Sequence, residues 1–141
     1  MRLQISPNRL VSDVQKDFNT VFPYLKIEFF RKKASQQPDL AVAHIVPHNQ
    51  KIGNIQSAIS DGDVVINADM KVKDIEKLFK EQFSLMAQIF RRSGNLWLQT
   101  TMTDNLTLAQ QNEHGREIST EGVNKMLPEE NDYDLNRDAD T

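Results

Sequence analysis

The residues best suited to chemistry are the three histidines, His44, His48 and His114, and a run of acids near the C-terminus. His44 and His48 stand four apart, a spacing that on a helix places two imidazoles on one face for a metal ion. Pro47 lies between them, however, and LAVAHIV reads as the end of a strand. His114 is remote and no acid stands at a ligand spacing, so hydrogen-bonded or solvated histidines are expected and no metal site. The acidic run EENDYDLNRDAD lacks the central glycine and terminal glutamate of an EF-hand, and reads as solvated charge. The chain contains no cysteine, which removes disulfides, thiolate nucleophiles and cysteine-based metal or iron–sulfur sites. The five glycines, Gly53, Gly62, Gly94, Gly115 and Gly122, are isolated, so no phosphate-cradling loop forms. No serine sits in a nucleophile elbow and no acid pair stands out for general acid–base work. The expectation is a protein without catalytic activity or cofactor.

A different kind of chemistry lies in the aromatic and basic residues of two alternating stretches. In residues 24–32, Leu25, Ile27 and Phe29 share one side, and Tyr24, Lys26, Glu28 and Phe30 the other. If Leu25, Ile27, Phe29, Leu85, Ala87, Ile89, Leu96 and Leu98 face the helices, the opposite face carries Tyr24, Phe30, Met86, Phe90 and Trp97. Lys26, Glu28, Gln88 and Gln99 are interspersed there, and Lys32 and Arg92 share its parity at the strand ends. Large aromatics on a face without helices imply that something covers or contacts them. Phe30, Lys32, Phe90, Arg92 and Trp97 are therefore the candidate binding residues. Residues 33–60 could fold across this face. A protein partner or a homodimer contact could use it. A third reading stacks single-stranded nucleic acid on Phe30, Phe90 and Trp97 with Arg31, Lys32, Arg91 and Arg92 on the phosphates. The absence of an RNP-type motif and the acidic C-terminal segment speak against that third reading.

The elements that must position these residues follow from periodicity. Leu3 and Ile5 alternate with polar residues as a half-buried strand does, and Pro7 and Asn8 break it, Asn8 being a candidate N-cap. Val11, Val14, Phe18, Val21 and Phe22 lie on one helix face, and Pro23 ends the helix. The opening is thus β-α-β. At an offset of 61 its pattern recurs: Asn8 matches Asp69, Val11 Val72, Asp13 Asp74, Val14 Ile75, Phe18 Phe79 and Phe22 Phe83. Beyond the helix the offset is 60, so Leu25 matches Leu85, Phe29 Ile89, Phe30 Phe90 and Arg31 Arg91. One deletion in the helix–strand connection accounts for the change, and residues 3–32 and 64–92 read as an internal repeat. Leu40 to Val46 reads as a buried strand. Asp61-Gly62 is a hairpin turn between arms 52–60 and 63–68, although Ile52, Ile55 and Ile59 also sit at helical spacing. Gly94-Asn95 is a second such turn, and residues 104–112 look like a capped helical turn. On the outer side of the second helix, Glu76 and Lys80 stand at an i,i+4 spacing.

From Ile52 to Asn112 the order is β-β-α-β-β followed by Asp104, Thr107 and Leu108 in an Asp-x-x-Thr-Leu turn. This is similar to the ubiquitin-like β-grasp, on the Val72-x-x-Ile75 helix start, the strand MAQIF, the Gly94 hairpin and the late Thr-Leu. The fold expected is α+β: two duplicated β-α-β units forming a mixed sheet with two helices on one face, β-grasp-like, with a ferredoxin-like sheet as the alternative. The chain ends Ala139-Asp140-Thr141 without the diglycine of a conjugating modifier.

The whole chain of 141 residues carries a net charge of -3. From Ser119 onward seven acids face two bases, a net of -5, which leaves about +2 for residues 1–118. Residues 1–118 are expected to form one domain, and 119–141 an acidic disordered tail. No window approaches the roughly 18 apolar residues that span a bilayer, and MRLQISPNRL lacks a signal peptide's apolar run. A cytoplasmic protein-interaction or self-association module is the functional expectation. A small-ligand or enzymatic pocket between the two repeats is a further alternative.

Overall fold

A computed structural model of the chain describes residues 1–31 and 45–126. In order, these form β1 (Arg2–Ile5), α1 (Val11–Val21), β2 (Leu25–Phe30), α2 (Ile52–Ile55) and β3 (Gly62–Val65). Then follow α3 (Val72–Phe83), β4 (Met86–Ser93), β5 (Leu96–Gln99), a 3₁₀ turn at Thr101–Thr103 and α4 (Leu108–Met126). The fold class is α+β. Among the described residues the strands form two antiparallel sheets, β1-β3 and β2-β4-β5, where the sequence suggested one mixed sheet. The two helical patterns form as expected: Val11, Val14 and Phe18 are buried on α1, and Val72, Ile75, Phe79 and Phe83 on α3.

Three further differences have physical causes. The Asp61-Gly62 hairpin does not form, because the isoleucines at 52 and 55 take their helical alternative and β3 pairs instead with β1. The segment after Asp104 is a five-turn helix rather than a single turn. Thr107 starts it with a capping box, its hydroxyl accepting from the Gln110 amide N–H at 3.1 Å while Gln110 Oε1 accepts from the Thr107 N–H at 2.9 Å. That helix runs through Met126, past the expected boundary at Ser119; the rest of the acidic tail, like most of the strand expected over Leu40–Val46, lies outside the described residues.

Nor do Asn8 and Asp69 cap the first two long helices. The caps are Leu10 and Lys71, which have no polar acceptor of their own to offer. The free amide groups of each helix start are instead taken by the turn that starts another helix. Val11 N–H donates to Gln50 O (2.8 Å) and Ser12 N–H to His48 O (3.0 Å), while Ile52 donates to Arg9 O (2.8 Å) and Gly53 to Pro7 O (3.0 Å). The second half repeats this: Val72 to Leu106 O (3.0 Å), Lys73 to Asp104 O (3.0 Å), Leu108 to Met70 O and Ala109 to Ala68 O (both 2.9 Å). Two helix starts thus satisfy one another through backbone alone.

A single core joins both halves. Leu3, Ile5, Val64 and Ile66 from one sheet meet Leu25, Ile27, Phe29, Leu85 and Ile89 from the other, with α1 and α3 contributing Phe18 and Phe79. The Phe29 and Phe79 rings contact edge to face, 5.6 Å between centroids. Helix α4 lies close over β2 and β4. A Cβ on Gly115 would come within 2.9 Å of Tyr24 Cβ and 3.1 Å of Arg91 Cγ, so only glycine permits this approach.

Candidate interaction surface

Strand register decides which candidate residues meet. Lys26 stands opposite Phe90, and Arg92 opposite Trp97. Lys26 Nζ lies 5.5 Å from the Phe90 ring centroid and 5.2 Å from that of Trp97, a cation–π arrangement spanning β2, β4 and β5. Arg92 is exposed and its Nε–H donates to Gly94 O at 2.8 Å, bracing the tight turn. Lys26, Phe90, Arg92 and Trp97 therefore cluster. Phe30 does not join them: it pairs with Met86, four residues along β2 from Lys26, which is roughly 13 Å at strand rise. Lys32 lies outside the described residues, as do residues 33–44 of the segment expected to cross this face.

Exposure corrects the sequence expectation. Phe30 and Phe90 are buried, at 4% and 8%, so neither ring is presented to a partner. Trp97 is half-buried. Conversely, Leu96 and Leu98, expected to pack beneath the helices, are 48% and 40% exposed. By register they share the side of Arg91, over which α4 packs, and Ser119 of α4 reaches only as far as the Gly94 N–H at the β4–β5 turn (3.1 Å). Among the described residues, the four-residue strand β5 is the last in its sheet. Alternation can assign a residue to a face; it cannot reveal where its strand lies in the sheet.

Beside the aromatic cluster lies a polar group that sequence inspection overlooked. Glu28 is 3% exposed and receives Lys26 Nζ at 3.0 Å, His48 Nε2 at 3.1 Å and the Gln15 side-chain amide at 3.2 Å. Gln15 also donates to Ile27 O at 2.6 Å. His48 is thereby an anchor of the 45–52 segment to β2. Among the described residues, no three histidine or acidic side chains come together as a metal site would require.

A second carboxylate sits on α3. Glu76 does not pair with Lys80; it turns inward and accepts the Ile89 N–H at 3.0 Å. Ile89 O accepts the Thr100 hydroxyl at 2.7 Å, so Glu76 and Thr100 together close the β4 ladder where β5 has ended. Burial raises the Glu76 pKa to about 7, against the lowering effect of the Ile89 N–H and with a further push from Asp104. Arg91 is held by Gln111 Oε1 at 3.3 Å, and burial lowers its pKa.

The surface concavities are shallow. A groove of about 510 Å³ runs along α4 past Leu106, Gln110, Glu113 and His114, and one of about 160 Å³ lies at Gln56, Ile59 and Phe83. No helix of the described residues is long and apolar enough to cross a membrane. No protein-family model, curated protein or solved structure matches the chain.

Proposed function

We propose that the protein is a cytoplasmic, non-catalytic interaction module that self-associates through β5. The observation that carries this reading is the strand Leu-Trp-Leu-Gln at the sheet margin, with Leu96 and Leu98 exposed on one face and Trp97 half-buried on the other. Marginal strands expose unpaired backbone donors and acceptors, and proteins blunt them with charge, proline or bulges when contact is unwanted. β5 is short, but it carries no charge, proline or bulge. A second copy fits because the strand is uncharged: antiparallel β5–β5 pairing sets no like charges opposite one another and extends each three-stranded sheet into one of six. Single-strand nucleic-acid stacking is less favoured, because the Phe30 and Phe90 rings are buried.

Sedimentation velocity over a concentration series tests the proposal. The wild-type chain is expected to form a dimer that the double variant Leu96→Lys, Leu98→Lys does not, with unchanged circular dichroism because both leucines are exposed. A wild-type chain that stays monomeric throughout, or a lysine variant that dimerises equally well, overturns it.

A further inference from the structure

The register of the two strand ladders holds more than a set of pairings. In β1–β3, Leu3 stands opposite Val64, which is its own counterpart at the offset of 61; Arg2 and Gln4 flank it opposite Val65 and Asp63. In β2–β4, Glu28 stands opposite Gln88, its own counterpart at the offset of 60, with Leu25 opposite Arg91 and Phe29 opposite Ala87 around it. Two copies of one strand related by a two-fold axis must pair antiparallel and centre on a residue facing its own equivalent. Both ladders meet that condition, although β1–β3 and β2–β4 belong to different sheets.

The correspondence continues beyond the strands. Phe29 O accepts Val46 N–H at 2.8 Å, and Ile89 O, its counterpart, accepts Thr100 N–H at 3.3 Å. The bridge Phe30–Ile45 stands where Phe90–Gln99 stands in the other half. The reciprocal helix-start bonds recur with Leu10–Lys51 matching Lys71–Thr107. Even the polar cluster corresponds: Gln15, Glu28 and His48 occupy the positions of Glu76, Gln88 and Asp104, with acid and amide exchanged between helix and strand.

We infer that the chain is a dimer folded within one polypeptide. Residues 2–31 with 45–55, and residues 62–111, are equivalent units, and the strands through which they join, β1 with β3 and β2 with β4, form an isologous interface. The partner that fits each unit's two strand margins is therefore another copy of the same unit, whether it comes from the same chain or from a neighbouring one. The six-residue connection 56–61 decides which.

Exchange between chains makes this testable, because the protein has no cysteine of its own. Met1 and Ile66 exchange both backbone hydrogen bonds, so the next pair, Arg2 and Val65, is a non-hydrogen-bonded pair with Cα atoms about 4.5 Å apart, within disulfide reach. Full-length chains carrying Arg2→Cys and Val65→Cys singly are unfolded together, refolded at high concentration and oxidised. A covalent dimer absent from either chain alone is expected, increasing with concentration and increasing again when Ser57 and Ala58 are deleted to shorten the connection. Equivalence makes a second demand. Unit-one strands from two chains must set Arg2 opposite Gln4, so Arg2→Cys with Gln4→Cys should also cross-link while Arg2→Cys alone should not. Failure of both mixtures overturns the inference, and so does cross-linking with Val65→Cys but not Gln4→Cys. If the shortened chain does not fold, the mixtures with the full connection decide. Association through β5 is read without refolding, so its outcome is separable.

Discussion

The polar clusters of the two halves, which we infer to be equivalent units, carry opposite charge arrangements. In the first half, the strand carries the acid: Glu28 is surrounded by three side-chain donors, from Lys26, His48 and Gln15. In the second, the helix carries it: Glu76 has the Ile89 N–H and faces Asp104 instead of a base. One carboxylate is buried with compensation and the other largely without it. A common backbone frame therefore does not dictate a common electrostatic outcome, because the frame fixes where polar atoms meet and the side chains decide their charge.

The largest expected effects test whether the halves stand or fall together. Phe18 and Phe79 occupy corresponding places and both are fully buried. Truncating either to alanine should cost about 3–5 kcal/mol in urea unfolding, the range for large buried aromatics. Trp97, the sole tryptophan, reports the second half by fluorescence, whereas far-UV circular dichroism reports both. The two probes should give coincident transitions for both variants, since one core joins the halves. Separate transitions, with Phe18→Ala leaving the tryptophan curve in place, would show two independent bodies.

The same substitution at the two acids should have opposite signs. Glu76 has a folded pKa raised to about 7 from 4.5, so its favourable contribution is complete below the lower value and is lost as pH rises through the higher one. At pH 8 the buried charge is a burden, and Glu76→Gln, which keeps an acceptor for Ile89, should stabilise the protein by about 1–3 kcal/mol. Near pH 4 the gain should vanish. Glu28→Gln should instead cost about 1–3 kcal/mol at pH 8, by leaving Lys26 without its counter-charge. Unfolding curves of both variants at the two pH values check this; equal signs at pH 8 would break the contrast.

Much of this architecture was legible in the sequence because it rests on local patterns. The α1 and α3 faces and the alternation of β2 and β4 leave periodic signatures, and the Gly94 turn a local one. What escaped notice depends on distant partners. Leu10 and Lys71 are poor caps by type, and only the opposing turns at 48–50 and 104–106 make them serviceable. The Asp61-Gly62 signal suggested a hairpin, but pairing between strands about sixty residues apart prevailed. In α4, helicity past Asn112 goes with the close seat of Gly115 on β4, not with an apolar stripe. Parity placed Phe90 and Trp97 on one face correctly, but could not tell that Phe90 is buried and Leu98 exposed. Glu76 likewise has the spacing of a surface ion pair, and only its distance to Ile89 shows that it points inward.

The smallest expected effect lies at the point where the two halves differ by one residue. In the first, the chain passes from helix to strand through Pro23 and Tyr24, with Phe22 at a φ of -124°. In the second, Ser84 and Leu85 make the passage, Ser84 at a φ of 54°, the one non-glycine residue with positive φ among those described. Its N–H reaches Lys80 O at 3.0 Å and the next, from Leu85, reaches Phe79 O at 3.2 Å, so the left-handed turn closes the last carbonyls of α3. A side chain in that conformation costs roughly 1–2 kcal/mol, part of which glycine returns through its more mobile unfolded state. Ser84→Gly should therefore raise stability by about 0.5–1 kcal/mol. Pro23→Gly, in the longer connection where φ is already restrained, should lower it by about 0.4–1 kcal/mol. Urea midpoints moving apart in these directions would tie the one-residue difference to a strained turn in the second half; a Ser84→Gly midpoint below wild type would show that the serine carries no such strain.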